Sequence, residues 1–545
     1  MVVAPTAGSR LTAQPTPARR RLWWAALLVP LLIGLLTKEP ELLLPIGPDQ
    51  GTYSYVAERI LAGGLPYVDA WDNKPPATYY AHAAVLSLVP SDERWSRSCL
   101  PGVQQECGYL ALQLADVAWT SATGLALVGV ARALGWSPAA SLVSSGLFLL
   151  FANLSQLSRE GSTPEKQLLL PMTLAYLAAL RWWSDRRLGW LYAAGALAGV
   201  AFLFKQTAVS IPLALVACWV WRRGAPRLSA VLAFGLGWLA PFVLTAAVFA
   251  ARGGLAALWD ASFAYNVVQA GSSALLVPRG LLSGAWHVFA NSSALLWLLG
   301  LGGALLAVQR GPRLTLAVCW AIADAVSLAL GGSKFAQVYF VQLVPSLALL
   351  GGYALVEGWS RTRGQPLLRG YAAVVGLAVF LLSNQFQASV VLRAWWERTP
   401  PHASVPLERL LAGRLRIDDG SLFVWGDNSE IYLYAHARAP GRFFHTFPLT
   451  HQYTSGSGSL ERRAELLRTW QTVPPSVVAI DPAAAREDPD GSAGLNPSSF
   501  PELEAMLAAR YTPMDGLPGG WRAYRLRIMN SELTLGSLQL DASTR

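Results

Sequence analysis

The sequence predicts a polytopic α-helical membrane protein with a small α/β domain at its C-terminal end. Three observations carry this. First, only 14% of the 545 residues are charged while 53% are hydrophobic, and mean hydropathy is +0.35; a soluble domain carries about 25% charged residues. Charged side chains are costly in hydrocarbon, so a deficit on this scale points to many spans. Second, apolar runs long enough to cross a bilayer recur through the first 390 residues. Third, the pattern changes from about residue 391, where short apolar strands alternate with helical stretches.

The elements follow in order. Residues 1–21 are rich in Pro, Thr and Ala and read as a disordered cytoplasmic tail. Arg19, Arg20 and Arg21 precede LWWAALLVPLLIGLL. No small-residue cleavage site follows, so this reads as a retained first helix and not a signal peptide. The expected spans are 22–46, 109–131, 138–155, 167–183, 188–204, 206–221, 228–250, 285–308, 312–331, 337–358 and 367–387, eleven in all. Many of the 22 Trp residues flank these runs, as in Trp23–Trp24, Trp182–Trp183 and Trp219 with Trp221, where an aromatic belt would lie.

Orientation follows from the basic residues. With the N-terminus inside, the inner loops hold Arg132; Arg181, Arg186 and Arg187; Arg222, Arg223 and Arg227; Arg310 and Arg313; and Arg361, Arg363 and Arg369. The outer loops after the first are sparser, with Arg159 and Lys166, Lys205, Arg252 and Arg279, and Lys334. This is the positive-inside pattern. It places the loop 47–108 and the region 391–545 outside the cytoplasm. The net charge of +10 is spread over short loops and forms no basic face for nucleic acid. No GxGxxG, P-loop or CxxC occurs, which excludes nucleotide sites of those types.

Of four Cys, Cys218 and Cys319 lie in apolar runs and read as buried hydrophobes. Cys99 and Cys107 lie in the first polar loop; a bridge and two free thiols both fit. In that loop, Tyr53, Val56, Ala57, Ile60 and Leu61 recur at helical spacing after Asp49, and Gly63–Gly64 ends the run. This predicts a short amphipathic helix on the membrane surface. Pro75–Pro76 interrupts the chain before ATYYAHAAVLSLV, a second such helix. A loop of this length is functional or disordered, and it is too aromatic for disorder. Asp49 is either a helix N-cap or a catalytic carboxylate at the water–lipid boundary; Asp69 and Asp72 either cap turns or contact substrate. Lys74 is either a solvated charge or a partner for phosphate.

Asp49, Tyr53, Ala57 and GGLPYVDAWDNKPP resemble the first extracytoplasmic loop of glycosyltransferase family 39-like proteins. These belong to the GT-C class, which includes protein O-mannosyltransferases and lipid A aminoarabinose transferases. REGSTPEKQLLLPM is similar to a second outer loop of the family, with Glu165 at its acidic position, and LFKQTA places Lys205 at the outer end of a span. GGSKFAQVYFVQLVP resembles a segment that usually reads Gly-Gly-Arg, then His-Tyr-Phe. Here Lys334 stands near the Arg and Val338 where the His is expected, a departure from the pattern. VWGDNSEIYLYAHARAPGRFFHTFPL resembles the outer tail of bacterial members.

The resemblance implies a GT-C fold and a bacterial enzyme of the cell envelope. It implies an inverting transfer of a hexose or pentose from a polyprenyl-phosphate-linked donor to an acceptor glycan, lipid or protein. Asp49 is the general base that this implies. Asp69, Asp72, Lys74, Tyr53, Glu165, Lys166, Lys205, Lys334, Tyr339 and Gln342 are the expected substrate-binding residues, with Arg159 a further outward-facing cation. Cations and donors would stabilise the leaving phosphate, although snorkelling alone also explains a basic residue at a helix end. Glu165 is also open to being a ligand for a divalent metal or part of a helix start. Two other readings stand beside this one. A transporter or flippase would use Asp116 and Asp324, which lie in predicted spans and are open to pairing across helices. An assembly subunit would keep the fold without activity.

Overall fold

The computed structural model of the chain describes Leu32 and residues 45–96, 98, 99, 106–158, 161–221, 227–271, 277–308, 312–330, 337–383, 407–415, 417, 421–450, 456–485 and 500–527. The expected tail 1–21, nearly all of the first span, Arg159, Lys334 and the junction near residue 390 lie outside the described residues.

The first outer loop forms α1 (Pro48–Leu61) and α2 (Ala77–Leu86). Pro48 sits at the start of α1, where its missing N–H costs nothing. Gly63 leaves the helix at φ +89°, a conformation that favours glycine. The bundle follows as α3 (Cys107–Ala133), α4 (Pro138–Ala152), α5 (Leu169–Asp185), α6 (Leu188–Phe204), α7 (Ser210–Trp221) and α8 (Leu228–Ala251). It continues with α9 (Ala294–Val308), α10 (Pro312–Leu330), α11 (Val344–Arg361) and α12 (Pro366–Ser383). Each expected span after the first falls on one of these helices.

Among the described residues, four helical stretches are long and apolar enough to cross a membrane: Cys107–Ala133, Leu228–Ala251, Leu282–Val308 and Gln337–Arg361. The apolar helices Pro138–Ala152, Leu188–Phe204, Gln206–Trp221, Thr315–Ala329 and Pro366–Leu382 are shorter. The chain is therefore multi-pass. Small residues set the closest approach within the bundle. A Cβ on Gly195 of α6 would fall 2.1 Å from the Phe234 carbonyl oxygen of α8. This is the close backbone contact that glycine permits in membrane helices.

Among the described residues, the C-terminal region combines helices with one sheet. β1 (Leu422–Trp425), β2 (Val477–Ile480), β3 (Tyr511–Met514) and β4 (Arg522–Leu526) form one sheet in the order β1-β2-β4-β3. β1 and β2 are parallel, with the helix α13 (Gly456–Thr472) between them in the chain; the other pairs are antiparallel. β1 and β2 are buried on both faces, which is why SLFVWG and SVVAI read as continuous apolar runs. SEIYLYAHA forms a short helix, Glu430–Tyr434.

The position of α1 differs from the sequence expectation. Its apolar face does not lie open to a membrane surface. Tyr55 packs on Tyr432 and Phe444, with ring centroids 4.8 and 4.4 Å away, and its hydroxyl accepts the Ala439 N–H at 2.9 Å. The first loop, residues such as Phe249 and Tyr265, and the C-terminal sheet share one apolar core. Gly51 permits this approach, since a Cβ there would meet the Glu430 backbone nitrogen at 2.6 Å. Burying the aromatic surface of Tyr55 against Tyr432 and Phe444 removes apolar area from water. Cys99 and Cys107 are bridged, tying the end of the first loop to the start of α3.

Candidate active site

The site is built where α1, the strap 71–74, the turn before α5 and the end of α6 meet. Asp49 lies in the first turn of α1, and the N-cap position belongs to Gly47, so Asp49 is not the N-cap. Asp49 is half-buried, in the same helix face as Tyr53 one turn later. Tyr53 is buried and feels Asp49, Glu165 and Asp72; burial and then these carboxylates push its phenol pKa well above the ordinary value.

The strap is fixed residue by residue. Tyr79 donates to Asp72 Oδ2 at 2.7 Å and receives the Lys74 N–H at 3.1 Å. Tyr67 donates to the Lys74 carbonyl at 2.7 Å. Tyr67 itself holds a positive φ of 69°, a conformation uncommon outside glycine. Asn266 donates to the Asn73 carbonyl at 2.7 Å, and the Asn73 amide donates back to Asn266 Oδ1 at 3.2 Å. Asn73 Oδ1 in turn receives Lys74 Nζ at 2.9 Å. Burial pulls the Lys74 pKa down, but Asp72, Tyr339, Asp49 and Glu165 act against it, and the net shift is upward. Lys74 therefore stays charged, its ammonium favoured by the charges of Asp72, Asp49 and Glu165.

Glu165 lies in the first turn of the short helix Pro164–Gln167, directly after Pro164 at its first position. It is buried and bonded to Lys205, which ends α6. Burial raises the Glu165 pKa, but Lys205 and then Lys74 outweigh it, and the carboxyl stays below its ordinary range. Lys205 Nζ also stands 3.5 Å from the centroid of the Tyr339 ring, a cation–π contact. Asp49, Tyr53, Asp72, Lys74, Glu165, Lys205 and Tyr339 thus form one electrostatic group.

Three expected residues lie elsewhere. Asp69 accepts the Leu65 N–H at 2.6 Å and closes the turn before the strap. Lys166, expected to face outward, is buried and ion-paired with Asp116 at 2.6 Å, with Asn153 and Ser158 as further acceptors. Gln342 is buried among Asp324, Ser327, Thr207 and Ser210, at 3.1 to 3.3 Å. Asp116 thus pairs with Lys166 and Asp324 with Gln342, where the sequence left a pairing of the two across helices open. Burial explains both cases, because an ionised or amide group in a helix interior must find its partner there.

Four residues of the site escaped the sequence reading: Asn73, Tyr79, Asn266 and His445. Asn73 lies inside GGLPYVDAWDNKPP and Tyr79 inside ATYYAHAAVLSLV, which was their only signal. Asn266 and His445 reach the strap from distant segments. His445 is buried, which lowers its pKa against the pull of Asp427 and Asp72. Among the described residues no three His, Cys, Asp or Glu side chains converge as a metal site. Glu165, left open in the sequence as a metal ligand, has the Lys205 cation against its carboxylate, a poor fit to a metal.

Residues 105–251 match the family model described as dolichyl-phosphate-mannose-protein mannosyltransferase. That segment holds Glu165 and Lys205 but not the first loop. Apo ArnT from Cupriavidus metallidurans superposes with TM-score 0.53 at 17% identity, over 93% of this chain and 98% of its own. The apo oligosaccharyltransferase of Archaeoglobus fulgidus gives TM-score 0.51 at 14% identity, over 87% of this chain and 71% of its own. The fold is that of the GT-C glycosyltransferases. A second structure of the same ArnT, bound to undecaprenyl phosphate, gives TM-score 0.49 at 17% identity, over 93% of this chain and 98% of its own. No curated protein matches the sequence. Within the GT-C frame, the family model covers α3 to α8 and the superpositions extend over nearly the whole chain.

Proposed function

We propose that the protein is a membrane glycosyltransferase that moves a sugar from a polyprenyl-phosphate donor to an acceptor hydroxyl on the extracytoplasmic face. The observation that carries this is the buried Lys205–Glu165 ion pair, with Lys74 feeling the charges of Asp72, Asp49 and Glu165. Such a site offers both a proton acceptor and cations for a phosphate. The family model that matches residues 105–251 is described by a polyprenyl-phosphate sugar, dolichyl-phosphate-mannose, which supports the donor class.

Asp49 is the general base in this reading. It takes the proton of the acceptor hydroxyl as the oxygen attacks the anomeric carbon. The bond from that carbon to the phosphate oxygen breaks, the configuration inverts, and the polyprenyl phosphate departs. Lys74 and Lys205 balance the charge on the leaving phosphate, and Tyr53 and Tyr339 contribute to substrate binding. Two features support the outward orientation: the positive-inside pattern of the loops, and the Cys99–Cys107 bridge, which belongs in an oxidising compartment.

The test is donor consumption. Membranes carrying the chain are supplied with radiolabelled polyprenyl-phosphate mannose, glucose or arabinose. Formation of a labelled product supports the reading, and the product identifies the acceptor. No consumption of any of the three would turn attention to a fold kept without activity.

A further inference from the structure

We infer that the C-terminal region is a working part of the site, and that His445 is the positioning residue through which it fixes the strap 71–74. The inference rests on the transferase reading for its kinetic consequence only. Trp71 is gripped on both sides of its peptide. Its N–H donates to the Arg442 carbonyl at 2.7 Å, and its carbonyl accepts from His445 Nε2 at 3.3 Å. Carbonyl oxygens only accept, so His445 must carry its proton on Nε2. The Trp71 indole is fully buried. It lies against Tyr265, with ring centroids 5.0 Å apart, and under the Arg462 guanidinium at 5.4 Å. Arg462 also stands 5.2 Å from the Tyr265 ring and 3.3 Å from Asp260.

Trp71 is followed directly by Asp72, Asn73 and Lys74, so anything that fixes the Trp71 peptide fixes where those side chains start. The grip comes from Arg442, His445 and Arg462, more than 360 positions away in the chain. From the other side, Asn266, Tyr67 and Tyr79 hold the same strap. In this inference His445 acts through its bond to the Trp71 carbonyl. A small displacement of positioned groups is enough to slow a reaction by roughly a hundredfold.

The experiment uses the full chain in detergent, as wild type, His445→Ala and His445→Gln, with two readouts. Amide hydrogen exchange over residues 71–74 reports the grip directly. Transfer from whichever polyprenyl-phosphate sugar the wild type uses reports its consequence. His445→Ala is expected to speed exchange across 71–74 while α1 keeps its protection. It should lower kcat by roughly ten- to a hundredfold with little change in the donor KM. His445→Gln restores a donor to the Trp71 carbonyl and is expected to recover both. If His445→Ala lowers the thermal midpoint, the Gln variant carries the comparison. Unchanged exchange at 71–74 in His445→Ala, or faster exchange with wild-type turnover, would overturn the inference. A wild type that uses no donor would refute the transferase reading and leave the exchange readout to decide the grip.

Discussion

Lys205 closes on Glu165 across 40 residues of sequence, the end of one helix meeting the start of another. Both side chains are largely buried, at 13% and 7% exposure. The pair joins α6 to the turn before α5 and places a cation at the mouth of the site. Replacing Lys205 by Met should raise the donor KM and lower kcat/KM by about ten- to a hundredfold, the range for hydrogen bonds to charged groups. Steady-state kinetics against donor concentration measure this.

Glu165 also gives a pH dependence with a definite sign. Its carboxyl pKa in the folded protein lies below the ordinary value of 4.5. It therefore adds stability above that value and loses it as pH falls through the folded pKa. Thermal midpoints between about pH 3 and 7 should fall more steeply on the acid side for the wild type than for Glu165→Gln. Parallel curves would mean that the pair contributes nothing to folding.

Lys166 and Asp116 make a second pair, at 1% exposure on each side. Removing one partner leaves the other charged and buried, a loss of about 3 to 5 kcal/mol. Asp116→Asn should therefore lower the unfolding midpoint strongly, while Asp116→Leu combined with Lys166→Met should recover much of it. If either single change abolished transport of a solute and left stability intact, the pair would have a role other than structure.

Gly51 marks the seam between α1 and the C-terminal region. Gly51→Ala drives a methyl group to 2.6 Å from the Glu430 nitrogen, and overpacking of this kind costs about 1 to 3 kcal/mol. Proteolysis of the region after β1 should become faster in this variant.

The helices of the bundle were legible because long apolar runs have few alternatives in a membrane. β1, β2 and α13 were legible for a similar reason: LFVW and VVAI are buried on both faces, and ERRAELLRTWQ has helical spacing. The gathering of Asp49, Asp72, Lys74, Glu165 and Lys205 followed from the family resemblance and not from spacing, since each residue alone reads as a cap or a helix-end charge. What could not be read were the long-range partners. Nothing local to Lys166 distinguishes it from Lys205, yet one turns inward to Asp116 and the other to Glu165. Gln342 likewise turns into the bundle toward Asp324. The apolar face of α1 is equally suited to a lipid surface and to Tyr432 and Phe444; only the fold selects between them.

The role proposed for Asp49, the base in a sugar transfer, is decided by comparing transfer with and without its carboxylate. Membranes carrying wild type or Asp49→Asn, matched for folded protein, are given the same radiolabelled polyprenyl-phosphate sugar. The expected result is a labelled product from the wild type and a loss of roughly a hundredfold or more with Asp49→Asn, in the range of a missing general base. Equal transfer by both would contradict the claim and leave Asp49 as a first-turn residue that only stabilises α1.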